Sequence, residues 1–312
     1  MCIRDSVTRA GLCGSDLHPY LGREPMARGT VPGHEAVGVV EAAGSDVSGL
    51  HPGQRVIVPF STSWGACDPC IRGLSARCER GGLLGWRDPA DPCVGLDGCQ
   101  AELVRVPLGE STLVAAPDVE DHAALLLADI LPTALAAVQR ARPSYSLTVV
   151  GLGAVGLCVV AVARRLGVER VVAIDPVAER AAVAQALGAS IGEPGASPKT
   201  TAVVEASGAP AALQTALASG APGAVISFIS VQTAAEVPFS PIEAYDRNLT
   251  TAWGRAPVRS ILDSHLDLLT EVAGDIADHV VDRPDLALSE GPSAYAGFSE
   301  RAFVKAAFDP AR

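Results

Sequence analysis

Residues 146–175 read S-L-T-V-V-G-L-G-A-V-G-L-C-V-V-A-V-A-R-R-L-G-V-E-R-V-V-A-I-D, and this order of residue types leaves few folds open. A β-prone run at 147–150 is followed by G-x-G-x-x-G at Gly151, Gly153 and Gly156. An alanine-rich apolar helix pattern then runs to Leu166. A second β-prone run, 171–174, ends at Asp175. Strand, tight turn, helix, strand and acid are in the order a dinucleotide-binding βαβ unit requires. Gly151 permits the turn, Gly153 lets backbone approach a pyrophosphate, and Gly156, with Ala154 and Val155 before it, opens a helix packed close to the strand. The helix N-terminus offers unpaired N–H groups and the positive end of its dipole to the phosphates. Asp175 is set to accept from the ribose hydroxyls and to repel a 2′-phosphate, which favours NAD over NADP. Residues 143–163 carry no charge and are long enough to cross a membrane. Three glycines within a strand-to-helix transition argue for the nucleotide turn instead.

A chain of 312 residues can bury two substantial cores, and 48% apolar with 19% charged residues is a globular composition. The net charge of −11 disfavours nucleic acid or an anionic membrane as partner. The N-terminus has no apolar signal segment, so a cytoplasmic location is expected. Eight cysteines in such a chain point to thiols and metal ligands more than to disulfides.

The remaining motifs are of metal-ligand type. G-L-C-G-S-D-L-H spans 11–18 and contains Cys13, Ser15, Asp16 and His18; P-G-H-E follows, with His34 and Glu35. Cysteine, histidine and acids suit zinc, although a buried thiol and a core histidine would look the same. Strands are expected at 37–40, 55–58 and 100–106, in a barrel-like β domain. In W-G-A-C-D-P-C-I-R-G-L-S-A-R-C, Cys67 and Cys70 form C-x2-C and Cys78 follows. Three thiolates suggest a zinc lobe, but a closed site needs four ligands, and Trp64 stands where another cysteine step would begin. Cys93 and Cys99 lack motif spacing. A helix pattern at 121–140 is interrupted at Pro132 and contains Asp129, which is either functional or a helix cap. Beyond Asp175, helices at 176–187 and 210–218 alternate with strands at 202–206, 224–229 and 249–253, giving a doubly wound parallel sheet. Residues 261–272 read as an amphipathic helix with Leu262, Leu266 and Leu269 on one face.

Taken together, Cys13, Gly33–His34–Glu35, the cysteine lobe and the glycine fingerprint resemble the zinc-dependent medium-chain alcohol dehydrogenases. The segments D-I-L-P-T and N-L-T-T-A-W-G-R-A-P-V-R-S look most like the branch with glutathione-independent formaldehyde dehydrogenases. The resemblance implies a GroES-like β-barrel catalytic domain (1–129 and 254–312) and a Rossmann NAD-binding domain (130–253). It implies Cys13, His34 and Asp129 as catalytic zinc ligands, with Glu35 behind the metal and Asp16 on the other His34 nitrogen. Ser15 and His18 would carry the substrate proton outward. Thr133 would meet the nicotinamide, Arg180 would join Asp175 in the cofactor site, and Lys305 would approach the pyrophosphate. Cys67, Cys70 and Cys78 form an incomplete structural zinc lobe.

The implied activity is hydride transfer between an alcohol and NAD, in a homo-oligomer (dimer or tetramer), with Zn2+ as the second cofactor. A zinc-free quinone oxidoreductase-like member and a non-catalytic NAD-binding protein are the alternatives. Residues 1–6 match nothing in the family and read as an adapter on a chain truncated at its N-terminus, leading into residue 7 with no preceding strand. The stretch 191–201 is short enough to trim one crossover of the sheet.

Overall fold

The structure is a computed structural model and describes residues 2–233 and 239–312. The chain divides into two compact units. One comprises Met1–Pro132 with Pro257–Arg312, and the other Thr133–Ala256.

The first unit begins with β1, Cys2–Leu12, followed by β2, Ala36–Ala43, β3, Arg55–Val58, and β4, Leu103–Pro107. β1 pairs antiparallel with β2 on one side (Ala10 opposite Ala36) and with β4 on the other (Ile3 opposite Val106). β3 extends the sheet from β2, with Val58 opposite Ala36. The period-2 alternation of the strands sends one face inward. Ile3, Val7, Ala10, Ala36, Val40, Val56, Val58, Val104 and Val106 form its buried core.

Residues 2–6 therefore belong to a strand, contrary to the sequence expectation that nothing structured precedes residue 7. The alternation that buries Ile3 and Val7 also carries Asp5 inward. Asp5 is fully buried, and neither of its carboxylate oxygens has a hydrogen-bond partner among the described residues. Burial of that carboxyl pushes its pKa up to about 7.

The helix pattern at 121–140 forms two helices, Asp121–Leu126 and Ile130–Ala141. The break lies at 127–129 rather than at Pro132. Pro132 sits in the first turn of the second helix, where a missing N–H leaves no bond unmade.

The second unit is a parallel sheet. Its strands are β5, Ser146–Val150, β6, Arg170–Ile174, β7, Thr200–Glu205, β8, Gly220–Phe228, and β9, Thr250–Trp253. A two-residue strand, Ser190–Ile191, lies outside β6, so the order runs Ser190–Ile191, β6, β5, β7, β8, β9. The direction of winding reverses between β5 and β7, the place where ligands bind in doubly wound sheets. Residues 192–199 reach β7 without a helix, which is the shortened crossover expected from the sequence. Ala154–Arg165 packs its apolar side inward, with Leu157, Val159, Val160 and Val162 buried. A Cβ on Gly156 would overlap the Gly151 carbonyl oxygen, so the close helix start requires glycine. Residues 143–163 thus divide between a strand and a helix. No helix among the described residues is long and apolar enough to cross a membrane.

The first unit is completed by the helix Val258–Val280, longer than the 261–272 expected, then β10, Arg283–Ala287, and β11, Ala306–Asp309. That helix buries Ile261, Leu262, Leu269 and Val272 and packs on Asp121–Leu126. β11 lies between β10 and β1, pairing with β1 so that Leu12 faces Ala306.

Candidate metal centre and nucleotide turn

The register of the first sheet assembles the polar site. Cys13 follows the last residue of β1, Glu35 precedes the first residue of β2, and Lys305 precedes the first residue of β11. Because Ala10 faces Ala36 and Leu12 faces Ala306, these three positions emerge at one end of neighbouring strands. The backbone bond from Gly11 N–H to Glu35 C=O (2.9 Å) closes that end. A Cβ on Gly11 would overlap Glu35 Oε2, so glycine there leaves room for the carboxylate. The interhelical turn at 127–129 supplies Asp129.

Cys13, His34, Glu35 and Asp129 each offer a ligand atom, all within 4.8 Å of one another. Asp129 Oδ2 is 3.9 Å from Cys13 Sγ and 3.6 Å from His34 Nε2. Bonds of about 2.3 Å to sulfur and about 2.0 Å to nitrogen and oxygen, at tetrahedral angles, place such atoms about 3.3–3.5 Å apart. The donor set and its spacing fit a zinc ion. A second observation agrees: Glu35 Oε1 is buried with no hydrogen-bond partner among the described residues, 3.9 Å from His34 Nε2. An orphaned anionic oxygen beside three donors is what a cation would relieve.

Surrounding groups hold the donors in place. Asp16 accepts from the Cys13 N–H through Oδ2 (2.9 Å), and its Oδ1 lies 3.1 Å from His34 Nδ1. It thereby turns Nε2 toward the other donors, the usual role of a carboxylate behind a ligating histidine. Burial works against a charged His34 imidazole, but Asp16 and the hydrogen bonds of Asp129, Asp16 and Cys13 outweigh it and hold its pKa well above the ordinary range. Burial, then Glu35, pushes the Cys13 thiol up. A metal binds the thiolate and the neutral imidazole, so its binding releases the protons of Cys13 and His34.

Ser15 Oγ lies 3.2 Å from His34 Nε2. His18 is in the short helix Leu17–Tyr20, and its Nδ1 is buried without a hydrogen-bond partner among the described residues. Burial is the main cause that lowers its pKa. Lys305, which the resemblance directed to the pyrophosphate, is buried, and its Nζ donates to Glu35 Oε2 at 2.5 Å. Burial disfavours its charge, but Glu35 outweighs burial and the ammonium pKa rises. Its ammonium is committed to Glu35, a pairing that a lysine seen only as sequence gives no sign of.

Cys67 Sγ is 3.4 Å from Cys70 Sγ and 3.8 Å from Cys78 Sγ, so the lobe gathers its three thiols. Cys93 is exposed, and Cys99 lies in the barrel core.

In the second unit, the turn after β5 carries the glycines. Asp175, at the end of β6, accepts from Leu152 N–H through Oδ2 (2.7 Å) and from Val177 N–H through Oδ1 (2.9 Å). The acid is thus oriented by the glycine turn itself. Arg180 is half-buried in the helix Ala178–Ala186, and Thr133 is buried in the helix Ile130–Ala141. Sequence reading missed Glu205. It is fully buried at the end of β7, and Oε1 accepts from the N–H groups of Ser207 (2.8 Å) and Gly208 (2.7 Å). Its Oε2 accepts from Ser230 Oγ. The segment E-A-S-G at a strand end was the available signal. A Cβ on Gly151 would press on Ser207, so this carboxylate braces the loop against the glycine turn.

A barrel-like unit with a metal-donor cluster, joined to a doubly wound unit with a nucleotide turn, defines a metal-dependent dinucleotide oxidoreductase. Comparison with known proteins agrees. The sequence profile of the alcohol dehydrogenase GroES-like domain matches residues 6–118. Zinc-type alcohol dehydrogenase B of Aspergillus flavus is 34% identical over 328 residues, covering 97% of this chain and 74% of that protein. Formaldehyde dismutase of Pseudomonas putida is 35% identical over 189 residues, covering 56% of this chain and 46% of that protein. The solved alcohol dehydrogenase TADH from Thermus sp. ATN1 superposes with a TM-score of 0.89 at 34% identity, covering 99% of this chain and 92% of that one. The chain belongs to the zinc-dependent medium-chain alcohol dehydrogenase family.

Proposed function

We propose that this chain is an NAD-dependent zinc alcohol dehydrogenase that interconverts a small alcohol and its aldehyde or ketone. The observation that carries the reading is the convergence of Cys13, His34 and Asp129 beside the orphaned oxygen of Glu35. Cys13, His34 and Asp129 would hold the zinc, which when bound supplies Lewis acidity to lower the pKa of a substrate hydroxyl.

The chain's own residues do the rest. Asp16 fixes the His34 tautomer. Ser15 Oγ, within hydrogen-bond reach of His34 Nε2, is the group that takes the alcohol proton. His18, kept basic-side neutral by burial, is the outlet for that proton. Lys305 neutralises Glu35 and holds it beside the donors, so we assign it to the metal site rather than to the pyrophosphate. Bound NAD would supply the hydride acceptor, and the glycine turn of Gly151, Gly153, Ala154, Val155 and Gly156 would cradle its phosphates. Asp175 selects NAD through the ribose hydroxyls, and Arg180 and Thr133 complete the cofactor contacts. The family likeness further supports a homo-oligomer.

Zinc analysis combined with a panel of primary and secondary alcohols and aldehydes, followed by NADH absorbance, tests this. Zinc bound in proportion to active chain, with NAD-dependent turnover of at least one alcohol, is expected. Turnover unaffected by complete removal of zinc would overturn the assignment.

A further inference from the structure

The cysteine lobe does not meet the requirement for a closed zinc site. Cys67 caps the one-turn helix Asp68–Ile71, Cys70 lies within it, and the 3-10 turn Ser75–Arg77 returns Cys78 to them. Among the described residues, no histidine, carboxylate or fourth thiol joins the three within 4.8 Å. Asp68 faces solvent and pairs with Arg72 at 3.0 Å. Trp64 offers only backbone: its N–H donates to Cys78 Sγ at 3.1 Å, while the Arg80 guanidinium stacks on its ring at 4.0 Å.

The sulfurs are nevertheless gathered, with Cys67 Sγ 3.4 Å from Cys70 Sγ and 3.8 Å from Cys78 Sγ. The Trp64 N–H on Cys78 Sγ adds a peptide donor that favours charge on that sulfur. Three clustered sulfurs with no fourth donor among the described residues leave zinc one ligand short. They complete the shell of a soft centre that is satisfied by three sulfurs.

We propose that Cys67, Cys70 and Cys78 form a three-coordinate site for a thiophilic ion, cuprous copper or trivalent arsenic, in preference to zinc. With arsenite the step balances without redox change. As(OH)3 and three thiols form three As–S bonds, each thiol proton leaving with one hydroxide as water. With cuprous ion, three S–H protons are released to solvent and three Cu–S bonds form, with copper remaining monovalent.

The full-length protein, reduced and stripped of metal, is titrated separately with arsenite, with buffered cuprous ion and with zinc, and read by native mass spectrometry. One arsenic per chain with the loss of three protons is expected, and zinc should fail to displace it. Cys78→Ser and, independently, Cys70→Ser should each remove that product while leaving the thermal melt of the metal-free chain in place. Trp64→Cys supplies a fourth thiol and should shift the preference to zinc, raising the zinc count by one per chain. Displacement of arsenite by cuprous ion supports a copper occupant, and resistance to it supports the metalloid. An arsenic adduct that has lost only two protons and keeps a hydroxyl overturns the three-sulfur site. So does zinc held at the unmodified lobe as tightly as either soft ion, or an adduct unchanged by both serine variants.

Discussion

Asp5 gives the chain a pH-dependent weakness that one substitution removes. Its carboxyl faces the valine-rich core of the barrel with neither oxygen paired among the described residues. The pKa rises from 3.8 to about 7 because burial disfavours the charged form. The folded chain therefore keeps the Asp5 proton between about pH 4 and about pH 7, where the unfolded chain has released it. Stability falls as pH rises through that window, and the whole penalty stands above pH 7. A shift of about three units at about 1.36 kcal/mol each is a cost of about 4 kcal/mol at pH 8 and about 1–2 kcal/mol at pH 5.

Asp5→Val restores the inward apolar position and should recover most of that cost. Urea unfolding at pH 5 and pH 8 reads it directly: the gain over the unmodified chain should be larger at pH 8 by about 3 kcal/mol. Asp5→Asn should flatten the pH dependence without the full gain, since a buried amide still lacks partners. Equal gains for Asp5→Val at the two pH values, or an Asp5→Asn chain with the original pH slope, would refute the reasoning.

Three further outcomes follow from the sites. Cys13→Ala or His34→Ala should abolish zinc-dependent turnover while leaving NAD binding, measured by fluorescence titration, intact; full activity in Cys13→Ala would sink the ligand assignment. Lys305→Met strands the Glu35 carboxylate in the interior and should cost about 3–5 kcal/mol in denaturant unfolding, whereas a pyrophosphate role would instead raise the Kd for NAD with little change in stability. Asp175→Ser removes the charge opposed to a 2′-phosphate, and the NAD-to-NADP ratio of kcat/KM should fall by about tenfold, about 1.4 kcal/mol; an unmodified chain that already prefers NADP would contradict the role of Asp175.

The nucleotide turn was legible because its glycines answer local requirements, such as the carbonyl of Gly151 against the helix at Gly156. Those requirements leave the same residues in the same order wherever the motif occurs. The metal donors were legible only as types. Cys13 and Asp129 lie 116 positions apart, and spacing alone left Asp129 open between a cap and a ligand. Strand register and the turn between two helices bring them together, and neither is a property of a short window. The strand over residues 2–6 was missed because Asp5 breaks the apolar alternation that marks a half-buried strand. The pairing of Lys305 with Glu35 was not legible, because the two lie 270 positions apart and only the tertiary fold buries the ammonium against the carboxylate. Glu205 lay in a visible segment, but a buried acid bonded to two peptide N–H groups looks, in sequence, like any surface glutamate.

The interleaving of the two units sets a timetable for the ribosome. Residues 133–256 contain every strand of their own sheet and can close it as soon as they emerge. The unit that holds the metal donors begins earlier yet finishes later, because β11 must come to lie beside β1. Until then the Ala10–Leu12 end of β1 is bare backbone on one side, open to any passing strand, and Glu35 has no ammonium to face. The lysine that faces Glu35 thus lies beyond the whole nucleotide unit in the chain, so a nascent chain grown past residue 256 but short of Lys305 has a nucleotide sheet that is whole and a metal centre with an unanswered charge.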